Sequence, residues 1–180
     1  MIRNALPEDA PALTTIALDA KRYWGYPEHW IKHWESDLTI SPEFIRDNHV
    51  YVHEEDGEIR GFYALCVTGS KADLEHMWVK PAMIGTGIGK ELFLDAMERA
   101  AKLNVNAVEI SSDPNAAGFY KRMGATQIGE VDSPVDGQPR KLPRLKIEPF
   151  SHKKAQKELA TRGTRRDQPQ KAHKSRKNDL

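Results

Sequence analysis

The sequence predicts a mixed α/β domain with an antiparallel front half. Three patterns carry that expectation. Apolar residues alternate with a period of two over 49–53, 59–67 and 72–79, and the first two runs are joined by the tight turn Glu55-Asp56-Gly57. Ile88, Leu92, Phe93, Ala96, Met97 and Ala100 then recur at helical spacing and form one buried stripe. Short strand-like and helical segments continue to alternate after that helix.

Taken in order, residues 2–5 read as a short first strand, and Pro7-Glu8-Asp9 opens a helix whose apolar face is Ala10, Leu13, Ile16, Ala17 and Ala20. Lys21-Arg22-Tyr23-Trp24-Gly25-Tyr26 is an aromatic turn closed by Pro27, after which Trp30 and Trp34 stand four apart on one helix face. Ser41 is an N-cap and Pro42 suits the first position of a third short helix. After the long helix come a strand at 107–111, a short helix at 114–123 with Gly124 at its C-terminal cap, and two strands at 125–130 and 142–147 around the turn Asp136-Gly137-Gln138-Pro139. Asp113 is the natural N-cap for a helix that starts on Pro114.

The 180 residues suit one domain over 1–149 and a basic tail over 150–180. The net charge of +1 conceals an asymmetry: residues 151–180 hold ten Lys and Arg against three Asp and Glu. The tail has almost no large apolar residue, so it is expected to be disordered, with at most a helical turn near 154–160. Its charge fits weak nucleic-acid contact, and also a plain solubilising extension. The single cysteine, Cys66, excludes an internal disulfide and fits a reducing, cytoplasmic setting. No apolar run is long enough to span a bilayer or to form a signal-peptide core, so no membrane contact is expected. Of the seven histidines, His29 and His33 stand four apart but lack the His-Glu-x-x-His pattern, and no metal site is expected.

The most informative stretch runs from Trp78 to Phe93, where Gly85, Gly87 and Gly89 separate a strand from a helix. Such glycines allow a tight turn and close approach to backbone N–H groups at the positive end of a helix, which suits a phosphate or diphosphate. Two familiar loops fail on spacing. A P-loop ending in Gly89-Lys90 needs a glycine where Ile84 stands and a hydroxyl where Glu91 stands. A dinucleotide fingerprint needs its third glycine at Lys90 or at Leu92.

Val79-Lys80-Pro81 followed by Gly85-Thr86-Gly87-Ile88-Gly89 resembles the acetyl-CoA loop of the GNAT superfamily of N-acetyltransferases. Gly87 and Gly89 match that loop, whereas Ile84 stands where the family usually has Gln or Arg. Asn115…Phe119-Tyr120…Gly124-Ala125 resembles the last helix of the family's CoA site. The order of elements over 1–149 also fits. The resemblance implies a central, mostly antiparallel mixed sheet of about seven strands, helices on both faces, and a splay between strands 4 and 5.

That resemblance implies acetyl-CoA as cofactor, held by Met77, Trp78, Val79, Ile84, Gly85, Thr86, Gly87, Ile88, Gly89, Lys90, Asn115 and Tyr120. It implies direct transfer to a small-molecule or peptide amine. Tyr120 would protonate the leaving thiolate, and a main-chain N–H near Met77–Val79 would stabilise the oxyanion. Glu75 is the first choice of base and His76 the second. On plain alternation Asp73, Glu75, Met77 and Val79 share one face, while a bulge would swap the faces. Tyr23, Trp24, Tyr26 and Trp30 are candidates for the acceptor pocket, and ordinary core is the competing reading. A homodimer fits the family. Two other classes stay open at this stage: a non-catalytic acyl-CoA-binding module, and an RNA- or ribosome-associated protein acting through its tail.

Overall fold

A computed structural model describes residues 1–150. Of the tail expected over 150–180, all but the first residue, including the helical turn and the nucleic-acid contact, lies outside the described residues.

The chain opens with β1 (Ile2–Asn4) and a 3-10 turn (Pro7–Asp9). Four helices follow: α1 (Ala10–Tyr23), α2 (Glu28–His33), α3 (Glu35–Leu38) and α4 (Pro42–Asp47). Next come β2 (His49–Glu55), β3 (Glu58–Thr68), β4 (Lys71–Val79) and a 3-10 turn (Pro81–Met83), and then α5 (Ile88–Lys102), β5 (Ala107–Ser111), α6 (Ala117–Arg122), β6 (Thr126–Asp132) and β7 (Lys141–Ile147). The strands form one sheet in the order β1-β2-β3-β4-β5-β7-β6, and only the β4–β5 pair is parallel. The local signals behave as chemistry requires. Phe44 N–H donates to Ser41 Oγ at 3.0 Å, and Asp56 (φ 54°) and Gly57 (φ 76°) both take the left-handed conformation of a type I′ hairpin turn.

The sheet is covered on both faces. Tyr63 and Leu65 of β3 point to a core built with Leu92, Phe93 and Met97 of α5, whereas Phe62 and Ala64 point to a core built with Leu13, Ile16 and Ala17 of α1. β3 is therefore central, and its residues 62–65 are wholly buried. Each large apolar side chain placed there contributes roughly 1.5–3 kcal/mol through burial.

Two features of β4 create the site. Its pairing with β5 extends only over Lys71–Ala107, Ala72–Val108 and Asp73–Glu109, so the two strands diverge beyond Asp73. Against β3, Ala64 opposes His76 while Leu65 opposes Leu74, which leaves Glu75 as the extra residue of a bulge. The bulge corrects the plain alternation expected for this strand. Leu74 now shares the α5 face with Met77 and Val79, while His76 and Trp78 turn toward the α1 side.

Two helix boundaries and one whole helix also differ from expectation. α1 continues to Tyr23, because Lys21 lies on the buried stripe rather than in a turn. α3 had no periodic signal, being only four residues long. α6 starts at Ala117, not Pro114, so Asp113 does not cap it directly. Instead Asp113 accepts from Asn115 N–H at 3.0 Å and holds the turn ahead of the helix.

Candidate active site

After β4 the chain turns through Gly85 (φ 84°) and Gly87 (φ 101°), a left-handed region that strains any residue with a β-carbon. Thr86 braces the loop: its hydroxyl donates to the Met83 carbonyl at 2.7 Å, and its N–H donates to the same oxygen at 3.3 Å. The first bond of α5 runs from Glu91 N–H to the Gly87 carbonyl at 3.1 Å. The N–H groups of Ile88, Gly89 and Lys90 therefore have no helical acceptor, and they sit at the positive end of the helix dipole. A β-carbon at Gly89 would stand 3.7 Å from Val79 and 3.9 Å from Phe119, so this loop is wedged between β4 and α6.

A cleft of about 550 Å³ opens where β4 and β5 separate. Among the expected cofactor residues, Met77, Trp78, Val79, Ile84, Gly85, Gly87, Gly89, Lys90, Asn115 and Tyr120 line it, as do Glu75 and Trp24. Thr86 supports the loop from behind, and Ile88 turns into the core. Tyr120 is buried, 5.8 Å from the Phe93 ring and 5.2 Å from the Phe119 ring. Among the described residues its hydroxyl has no hydrogen-bond partner. Burial and then the Asp113 charge push its pKa well above the ordinary phenol value, so it stays a donor at neutral pH.

The two candidate bases part company. Glu75, at the bulge, lines the cleft; burial raises its pKa, and the like charges of Asp73 and Asp37 add to that. His76 is buried against Phe44 and Phe62, its Nδ1 accepts from Trp78 Nε1 at 3.2 Å, and burial lowers its pKa to about 4. It is a neutral packed side chain away from the cleft lining. The aromatic turn divides as well. Trp24 lines the cleft with Tyr23 packed edge-on at 5.2 Å outside it, whereas Trp30 stacks on Tyr26 within the second core.

Tyr26 belongs to a buried polar network that periodicity did not disclose. Asp113 accepts from Lys21 Nζ at 2.6 Å, Arg140 Nη2 at 3.2 Å and Tyr26 Oη at 3.0 Å. Asn115 Nδ2 donates to Asp113 at 3.0 Å and to Tyr26 Oη at 3.1 Å. The two cations also lie over the Trp34 ring, Lys21 at 4.3 Å and Arg140 at 4.8 Å from its centroid. Burial alone would raise the Asp113 pKa, but Lys21 and the hydrogen bonds outweigh it and the net shift is downward. One sequence signal was available: Lys21 follows Ala17 by four on an apolar stripe, where a charge needs a partner. Arg140, which arrives from the β6–β7 connection, had none.

Asp113→Ala leaves two buried cations without their carboxylate. It should cost about 3–5 kcal/mol of unfolding free energy, read by urea denaturation. The lowered pKa sets the sign of the pH dependence: this contribution is present above the unfolded carboxylate value and is lost as pH falls through the folded one. A loss below about 1 kcal/mol would mean that the network contributes little to stability.

One cleft thus joins the start of α5, whose first amides lack helical acceptors, to a buried tyrosine that stays protonated. Comparison with known proteins agrees. The family model described as Acetyltransferase (GNAT) domain matches residues 22–135. The 5-NmdU N-acetyltransferase of Pseudomonas phage PaMx11 is 30% identical over 137 residues, covering 72% of this chain and 89% of the relative. A GCN5-related N-acetyltransferase from Rhodopseudomonas palustris superposes with a TM-score of 0.68 at 20% identity, covering 82% of this chain and 94% of that one. The PaiA N-acetyltransferase of Thermoplasma acidophilum, solved with coenzyme A, gives 0.67 at 22% identity, covering 82% and 98%. The chain belongs to the GNAT superfamily of N-acetyltransferases, whose cofactor is acetyl-CoA. No helix among the described residues is long and apolar enough to cross a membrane.

Proposed function

We propose that this protein transfers the acetyl group of acetyl-CoA directly to a primary amine within a ternary complex. The observation that carries the reading is the shared cleft, in which the free amides at the start of α5, the buried Tyr120 hydroxyl and the Glu75 carboxylate all open to one space. Acetyl-CoA supplies a thioester-activated acetyl group. An alkylammonium with a pKa near ~10 must lose a proton before it can attack, and Glu75 takes that proton. Alternate N–H groups of β4 between Met77 and Val79 have no partner on the β5 side and act as donors to the oxygen that gains charge. As the C–S bond breaks, Tyr120 gives its proton to the departing sulfur, and the nitrogen sheds its second proton to restore the phenol, so that the amide and the thiol leave neutral and the net proton stays on Glu75. Cys66 takes no part: it lies on β3 opposite Asp73, and burial, with Glu75 and Asp73 nearby, raises its pKa to about 11, so no thiolate forms at neutral pH.

Trp24 and Glu75 at one end of the cleft suit a cationic amine on a flat or apolar carrier. The phage relative is named for 5-NmdU, which makes 5-NmdU the first acceptor to test. The deciding assay follows thiol release from acetyl-CoA with 5-NmdU, polyamines, amino acids and peptide N-termini. Turnover with at least one of them is expected. Tight cofactor binding with none would leave a non-catalytic acyl-CoA-binding module instead.

The base assignment has its own readout. A carboxylate acts as base only when ionised, so activity is present above the Glu75 pKa and is lost as pH falls through it. Because that pKa is raised, the acid limb of kcat/KM should lie above the ordinary carboxylate range. Glu75→Gln should lower kcat/KM by about 10²-fold and remove that limb. An unchanged pH profile would take Glu75 out of the mechanism.

A further inference from the structure

We propose that Lys21 is a self-acetylation site: an amine of this chain that takes the acetyl group from the acetyl-CoA in its own cleft. This inference rests on the reading that the cleft holds acetyl-CoA for transfer to an amine. Lys21 is the one buried lysine among the described residues, with a side chain 9% exposed. Ala20 before it on α1 and Trp24 just after that helix both line the cleft. Its Nζ stands 2.6 Å from Asp113 Oδ2, and Asp113 lines the cleft as well. One carboxylate therefore separates a buried primary amine from the space assigned to the reaction.

The charge balance around Asp113 makes this amine expendable as a cation. Asp113 is the one carboxylate partner of Lys21 among the described residues, and it also pairs with Arg140, so two cations share one anion. Burial lowers the Lys21 pKa, Asp113 raises it, Arg140 lowers it again, and the net shift is downward. The neutral amine is the nucleophilic form. Its loss as an amide leaves Arg140 Nη2 on Asp113 at 3.2 Å, a one-to-one ion pair. The Tyr26 and Trp34 rings, 5.0 and 4.3 Å from Nζ, offer faces on which an acetyl methyl can pack. In the reaction Lys21 releases one proton to water, and its flexible four-carbon stem swings the amine from Asp113 to the thioester. The C–N bond forms as the C–S bond breaks, and the nitrogen's surplus proton ends on the departing thiolate. A lysine ammonium and acetyl-CoA thus give acetyl-lysine, free coenzyme A thiol and one proton.

Incubation of the full wild-type chain with acetyl-CoA and no acceptor amine, followed by digestion and tandem mass spectrometry, tests this without any variant. Lys21 should carry acetyl at an occupancy at least about tenfold that of the exposed Lys32 and Lys71, because its amine meets a thioester already bound beside it. The rate per molecule should not change with protein concentration. Excess coenzyme A, which fills the cleft and carries no acetyl group, should suppress the reaction at Lys21 and leave Lys32 and Lys71 as they were. An unmodified Lys21 in a chain that binds acetyl-CoA by calorimetry overturns the proposal. So does acetylation of Lys21 that only matches the exposed lysines or that coenzyme A fails to suppress. A chain that binds no acetyl-CoA at all overturns the reading of the cleft, and the self-acetylation with it.

Discussion

Tyr120→Phe should lower kcat by about 10²–10³-fold while changing the Kd for acetyl-CoA by less than about threefold. The substitution deletes one oxygen and keeps the ring that packs on Phe93 and Phe119. No hydrogen bond among the described residues is lost, so stability should move by less than about 0.5 kcal/mol. What disappears is a donor aimed into the cleft. A departing thiolate with a pKa near ~8.5 is a modest leaving group next to an amine, and protonating it as the bond breaks removes the return reaction. Burial and the Asp113 charge keep the phenol protonated beyond its ordinary range, so no alkaline loss of rate near neutrality should trace to Tyr120. Steady-state kinetics paired with calorimetry separates the two quantities. An unaltered kcat would remove Tyr120 as the acid.

Gly87→Glu should weaken acetyl-CoA binding by more than about a hundredfold. Two effects add. The residue has φ of 101°, and a left-handed conformation costs a residue with a β-carbon about 1–2 kcal/mol. The new carboxylate also stands at the positive end of α5, where it competes with phosphate for the same field and repels it. No atom lies within 4 Å of the added β-carbon, so there is room for a side chain to leave the backbone and the fold should survive. Gly87→Ala isolates the backbone effect, and a loss of about tenfold is expected from it. If both variants bound equally well, charge at this position would be irrelevant and the anion site would lie elsewhere.

The Tyr120 and Gly87 predictions draw on residues that were legible before any coordinates. Three alternate glycines between a strand and an amphipathic helix announce themselves by spacing, since few other functions require that density of small residues. Tyr120 was legible through its neighbours, Asn115 and Gly124. Glu75 was legible as an acid on the right strand, but its direction was not. Alternation with period two assumes an unbroken ladder, and one extra residue at the bulge exchanged the faces on either side of it. His76 shows the same limit from the other side: plain alternation would put it on one face with Leu74, which packs toward α5, whereas it packs against Phe44, 32 residues away in sequence.

Sequence alone marked the order of most elements, the glycine loop and Tyr120, because each depends on contacts within a few residues and on backbone freedom that only certain side chains allow. Tertiary structure decided which groups share the cleft. Asp113, Lys21 and Arg140 come from three separate segments and meet only because α1, the turn before α6 and the β6–β7 connection converge. Charges act through space, and local sequence patterns do not record those distances.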